Sequence, residues 1–304
     1  MILFIEQVLN GLQLGIMLFL MSAGLTLVFG IMHVINLAHG SFYMIGAYVA
    51  ATVTMRSGSF LLGMAAALPA AALVGMLVEI LILRRLYNRD HLDQVLATFG
   101  LIFFFNELTI IIWGRQPLFM DVPSWLNQTI ELLPGIHYPQ YRLAIIFVGI
   151  LVAVFLYVLF TYTRLGLRIR AGATNREMIA AMGINIRVLY TLVFGLGTLL
   201  AGLAGVMAGP ILAVETGMGE SILILTFVVI VIGGIGSVRG AFIGAVFVGL
   251  VDTLGRAFTP QLFRLFFETN TADRLGGSLS TMAVYVFMAA ILAWKPRGLF
   301  PAHG

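Results

Sequence analysis

Little in this chain can do bond-making chemistry. There are five histidines, one lysine and no cysteine. The absence of cysteine removes disulfides, thiolate metal sites and a sulfur nucleophile together. His33, His39, His91, His137 and His303 are not paired at metal-ligand spacing, and no H-E-x-x-H occurs, so no metal site is expected. No serine sits in a G-x-S-x-G elbow. Catalytic residues are therefore expected to be none. The glycine string GGIGSVRG (Gly233–Gly240) invites a dinucleotide reading, but its third glycine is out of register and no soluble βαβ unit surrounds it. A P-loop needs a lysine within its glycine loop, and the only lysine, Lys295, lies in the tail WKPRGLFP. If ATP drives this protein, another chain binds it.

What remains is a scatter of polar residues inside apolar runs, where such residues are costly and so become candidates for a solute path. Asn36, His39 and Gly40 lie at the first glycine break, and Asn106 and Glu107 follow the aromatic run Phe103–Phe105. These five are the candidate translocation residues. Glu79 precedes Arg84 and Arg85 by a few residues and reads as a paired carboxylate near a membrane boundary. Asp252 stands one helical turn before Arg256, the spacing of an i,i+4 pair. There is no run of membrane carboxylates. That argues against proton or sodium coupling and fits a pathway for a polar, net-neutral solute.

The elements that must position these residues are membrane helices. Hydrophobic residues make up 61% of the chain and charged ones 10%, outside the soluble globular range. Nine apolar segments can be marked, about Val8–Phe29, Gly40–Met55, Phe60–Leu83, Gln94–Trp113, Leu143–Tyr162, Val188–Leu212, Ser221–Ile235, Ala241–Phe258 and Leu279–Trp294. The expected fold is all-α: a single polytopic transmembrane helix bundle over 1–304, with about 8–10 membrane segments, some glycine-broken or re-entrant. MILFIEQVLN has an acid and no basic start, so the first apolar run is expected to stay rather than be cleaved as a signal. Gly11/Gly15, Gly205/Gly209 and Gly240/Gly244 are GxxxG pairs that let helices approach closely. Asn36–Val49 and Gly236–Val248 both read as a polar break, a His-Gly or Arg-Gly step, a small residue, Phe and a Gly/Ala-rich segment, the pattern of an internal repeat. In the loop Gly114–Gln140, SWLNQTIELL is expected to form one short surface helix, and the loop as a whole reads as a connector resting on the headgroups, with part of a landing surface for an external protein as the alternative.

One long polar interruption divides the second half: RLGLRIRAGATNREMIAAMGINIR, Arg164 to Arg187, with five arginines and one acid. Thr174 and Glu177 stand at capping-box spacing, and Gly183 supplies a left-handed stop. Between them Met178, Ile179, Ala181 and Met182 give a small apolar face on about two turns, too short to be stable without a surface to dock on. Thr174, Asn175, Arg176, Glu177, Met178, Ala181, Met182 and Gly183 are the candidate docking residues for a partner protein. Placing this loop in the cytoplasm and alternating outwards puts eleven basic residues inside and six outside, as the positive-inside rule prefers, with the C-terminus inside.

Four blocks in order, GLTLVFGIMHVINLAHGSFYMIGAYVA, RLGLRIRAGATNREMIAAMGIN, GGIGSVRGAFIGA and KPRGLFP, resemble the permease subunits of branched-chain amino-acid ABC importers, and the length resembles the shorter of the usual two. The resemblance implies a multi-pass subunit of the bacterial inner membrane. Its implied partners are a paralogous permease, two cytoplasmic ATPase subunits, a periplasmic solute-binding protein and membrane lipid, with no nucleic acid. ATP and magnesium would be bound by the ATPases and no cofactor by this chain. Thr174–Gly183 would be the coupling helix, and Asn36, His39 and Gly40 fall in the family's most recognisable block. Related permeases are associated with urea, short amides and other amino acids. An ion-coupled secondary transporter and a purely structural membrane subunit are the readings from other classes.

Overall fold

The computed structural model describes residues 2–300 apart from 88 and 175. In chain order its elements are α1 (Ile2–Met32), α2 (His39–Ser57), α3 (Phe60–Leu81), α4 (His91–Trp113), β1 (Thr129–Leu133), β2 (Ile136–Pro139), α5 (Gln140–Tyr162), α6 (Arg164–Thr174), α7 (Arg176–Ala181), α8 (Ile186–Ala208), α9 (Met218–Gly233), α10 (Val238–Phe263) and α11 (Thr269–Trp294). Each of the nine apolar segments is a helix. Among the described residues, seven of them are long and apolar enough to cross a membrane. The chain is an all-α polytopic membrane bundle. The two helices outside that set differ for separate reasons. α9 has 16 residues, about 24 Å of helix against a hydrocarbon core of about 30 Å. α2 is long enough but carries Ser41, Thr52, Thr54, Arg56 and Ser57.

The chain divides into two compact units. One comprises Ala23–Pro123 and Leu151–Ile224. Its core is α2, α3 and α8, drawn together by small residues. A Cβ added to Gly202 of α8 would lie 2.6 Å from the Ala71 Cβ of α3, and one added to Gly46 of α2 would lie 2.5 Å from the Gly202 backbone. Gly58, at φ 69°, ends α2, and the Ser59 side chain then accepts from the Leu62 N–H to start α3. Leu118 and Val214 exchange backbone hydrogen bonds of 2.9 Å, tying the loop after α4 to the loop after α8.

The other unit comprises Met1–Ser22, Ser124–Ile150 and Leu225–Gly304. Here Gly11 and Gly15 of α1 lie against the backbone of α10 at Ala245–Leu250, and Phe19 meets Phe242 edge to face at 5.0 Å. Gly234 (φ 104°) and Gly236 (φ 82°) make the turn between α9 and α10, so GGIGSVRG is a tight inter-helix turn. The tail folds back on the end of α9. The Leu299 and Phe300 N–H groups donate to the carbonyls of Ile232 and Gly233 at 2.8 and 2.9 Å, satisfying carbonyls that a helix end leaves open.

The SWLNQTIELL helix is not what forms. Ser124–Leu126 is a single 3-10 turn, and Thr129–Leu133 pairs antiparallel with Ile136–Pro139. The reason is local. Pro134 and Gly135 occupy the two turn positions, Gly135 at φ 84°, where proline suits the first place and glycine the second. A helix running through Leu133 would have met Pro134.

Candidate functional site

Two helices of the first unit begin where another helix of that unit is at its midpoint. Gly24 of α1 packs backbone to backbone on Gly197, halfway along α8, and the His39 Nε2 lies 3.0 Å from the position a Gly24 Cβ would take. Phe42, one turn into α2, meets Phe194 of α8 edge to face at 5.8 Å. The start of α2 is thus at mid-depth of the bundle. The start of α9 joins it there, because Gly40 and Gly219 cross so closely that neither position has room for a Cβ. Discontinuous helices with starts near the bilayer midplane are the usual framework of solute sites in transporters.

Beside this crossing is a pocket lined by Leu37, Gly40, Ser41, Met44, Ile102, Asn106, Gly219, Glu220 and Leu223. It is too tight to admit a water molecule. The Asn106 amide of α4 donates to the Glu220 carboxylate of α9 at 2.6 Å. The walls combine an aliphatic surface (Leu37, Met44, Ile102, Leu223), one carboxylate and two helix starts, whose dipoles favour negative charge. Chemically this set suits a zwitterion with an aliphatic side chain.

Of the residues singled out from sequence, Gly40 and Asn106 line the pocket. Asn36, in the connection between α1 and α2, and His39, the first residue of α2, are fully buried, and neither amide atom of Asn36 has a hydrogen-bond partner among the described residues. Glu107 is exposed and does not line the pocket, since one residue along a helix is about 100° round from Asn106. Sequence reasoning misses Glu220, Ser41 and Gly219. An acid in the first turn of a helix has an ordinary dipole explanation, and the partner of Glu220 lies 114 residues away.

The arginine loop folds as two short helices. Thr163 turns α5 into α6, its hydroxyl accepting from the Gly166 N–H at 3.1 Å, and Gly166 packs on the backbone of Leu159 and Phe160 with no space for a side chain. The capping-box expectation needs correcting at Thr174. It is the last residue of α6, not a position ahead of a helix, and its hydroxyl donates to the Arg170 carbonyl at 3.1 Å, the back-bond threonine makes within helices. Asn175 lies outside the described residues. Arg176 opens α7, which Glu177 continues. Gly183 is the stop expected of it: at φ 81° its N–H reaches Ala180 O at 3.0 Å, while the Ile184 N–H reaches Ile179 O at 3.3 Å, the two bonds of a Schellman ending. Ile179 is buried, whereas Met178 and Met182 are 66% and 75% exposed; Ala181 is exposed beside them. A groove of about 240 Å³ runs alongside, lined by Leu165, Arg168, Gly183, Ile184, Asn185, Val188, Leu189 and Leu192.

The two paired carboxylates expected from spacing are paired. Arg84 bonds Glu79 at 2.9 Å, and Arg256 bonds Asp252 at 2.9 Å. The two halves of the sequence repeat also share a structural feature. Gly40 crosses Gly219 at the start of α9, Gly240 crosses Gly233 at its end, and the phenylalanine two residues on, Phe42 or Phe242, makes an edge-to-face ring contact within its own unit.

Residues 7–294 match the family described as the permease component of the branched-chain amino acid transport system. The chain is 27% identical to the high-affinity branched-chain amino acid transport system permease protein BraD of Pseudomonas aeruginosa, over 97% of this chain and 95% of that protein. It is 30% identical to the corresponding LivH proteins of Escherichia coli K12 and Salmonella typhimurium, over 86% of this chain and 89% of each. No solved structure matches the chain.

Proposed function

The chain belongs to the permease family of branched-chain amino acid transport systems, and from that premise we propose that it carries leucine, isoleucine, valine or a close relative through the bacterial inner membrane as one subunit of an ATP-driven importer. A second, paralogous permease completes the membrane pair, and two cytoplasmic ATPases hold ATP and magnesium. A periplasmic binding protein delivers the solute. The C-terminus lies inside, and the chain itself makes and breaks no bonds.

The observation that carries this reading is the meeting of two helix starts at mid-depth, Gly40 on Gly219, beside a pocket that joins aliphatic walls to Glu220. With the pocket closed, Asn106 occupies the carboxylate. On opening, the ammonium of an amino acid would take the place of the Asn106 amide, since a bond with both donor and acceptor ionised is the stronger of the two. The helix starts would face the solute carboxylate. At the loop end, the exposed pair of Met178 on α7 and Met182 just past its end forms the contact with the ATPase, methionine being well suited to adaptable apolar interfaces.

Reconstitution of the complex in proteoliposomes tests this. Uptake of labelled leucine, isoleucine or valine is expected to require both internal ATP and the external binding protein. Uptake driven by a proton or sodium gradient alone would replace this reading with a secondary transporter. Efficient uptake of urea or a short amide, with none of leucine, would keep the importer and overturn the solute.

A further inference from the structure

Glu79, in the last turn of α3, is fully buried and carries more partners than an ion pair needs. Arg84 approaches it with both Nε, 3.2 Å from Oε1, and Nη2, 2.9 Å from Oε2. The Tyr87 hydroxyl donates to Oε1 at 2.6 Å, and the Thr191 hydroxyl of α8 donates to Oε2 at 2.6 Å while accepting from Arg84 Nη2 at 2.8 Å. Those four bonds fill the acceptor capacity of a carboxylate. Burial, and then the bond to Glu79, pushes the Tyr87 hydroxyl well above the usual phenol range, so it remains a donor. A buried ion pair of this kind adds little net stability over a well-packed apolar set. What it fixes is geometry.

The geometry it fixes is the loop end of α8. Thr191 lies in the second turn of a helix that begins at Ile186, shortly after α7 ends, with the Asn185 side chain accepting from the N–H groups of Arg187 and Val188 at its start. Beyond Thr191 the two helices interlock without slack. Gly75 faces Thr198 with no space for a side chain, and a Cβ on Gly195 would lie 2.8 Å from Met76. Tyr87 packs edge to face on Tyr190 at 5.4 Å. Farther along α8, Phe194 touches Phe42 at the start of α2, next to Gly40 of the pocket.

We propose that Glu79 is a positioning residue for transport: it clamps the loop end of α8 to α3, so that displacement of α7 moves the two helices as one body and reaches the pocket through Phe194 and Phe42. The proposal rests on α7 being the ATPase contact. Without the clamp, α8 yields at its first turns and the displacement is dissipated there.

The test uses the whole complex in proteoliposomes, reading solute imported per ATP hydrolysed. Glu79→Gln and the milder Thr191→Val are expected to co-purify with their ATPases and keep hydrolysis near the unmutated rate. Solute per ATP should drop by about fivefold or more, the scale of a typical coupling energy. Thr191→Ser, which keeps the hydroxyl, is expected to restore it. An unchanged ratio in both Glu79→Gln and Thr191→Val overturns the proposal. So does a parallel fall of uptake and hydrolysis in step with the amount of folded complex, the mark of a merely structural role. An unmutated complex that imports without ATP removes the coupling reading itself, and this proposal with it.

Discussion

At Gly40 the consequence of a single methyl group can be read from its neighbour. The position it would occupy is taken by the Gly219 carbonyl, and a methyl on Gly219 meets Gly40 in the same way. Neither backbone can move alone, because Phe42 is held by Phe105 and Phe194 on one side of the crossing and Asn106 holds Glu220 on the other. Gly40→Ala and Gly219→Ala are each expected to destabilise the chain by about 1–3 kcal/mol, the cost of overpacking a tight contact. The double substitution should cost clearly less than the sum, because once the helices have parted for one methyl the second finds space; residues in direct contact depart from additivity in this way. Thermal unfolding of the three variants in detergent decides it. Full additivity would mean that the two glycines do not share one contact.

Among the elements, α7 depends most on a single residue. Its six residues cannot sustain a helix unaided, and its ending requires Gly183 at φ 81°. Gly183→Ala places a side chain in the left-handed region at a cost of about 1 kcal/mol, with both Schellman bonds at risk. The expected result is weaker retention of the ATPases on purification, with the thermal midpoint of the membrane part little changed. Equal retention would show that α7 does not carry the contact. Gly183 is legible in the sequence because its signal is local. So are the nine apolar helices, whose boundaries are written in apolar runs and flanking polar residues. The Thr174 cap misleads because threonine three before glutamate marks a helix start only if a helix is not already running through it, and α6 extends to Thr174. The hairpin at Thr129–Pro139 is signalled by Pro134-Gly135, but the apolar TIELL segment suits a strand and a short helix alike. Thr191 on Glu79 and Glu220 on Asn106 pair across more than a hundred residues. No spacing rule reaches them.

For the whole molecule, contacts within the first unit say which loops share a side of the membrane. Loop 114–123 and loop 209–217 are joined by the Leu118–Val214 bridge, so they lie on one side. Between them the chain passes through α5 and α8, an even number of crossings, which agrees. α5 alone, at 23 residues, gives about 35 Å of helix, enough for one crossing of a hydrocarbon core of about 30 Å. The arginine loop must therefore lie on the opposite side from Leu118. Glu79 and Arg84 bond Thr191 at that same end, which gathers Arg84, Arg85 and Arg89 with Arg164, Arg168, Arg170 and Arg187. Loop 114–123 has only Arg115, with Asp121 in the same loop. The positive-inside rule then favours the cytoplasmic side for the arginine end, the orientation proposed above. Because the natural chain has no cysteine, single cysteines report without background. Phe119→Cys and Met182→Cys replace side chains 72% and 75% exposed. In intact spheroplasts a membrane-impermeant maleimide is expected to label the first and spare the second, which reacts only after permeabilisation. The reverse pattern would place the arginine loop outside, where no cytoplasmic ATPase could reach α7, and the importer reading would fall with it.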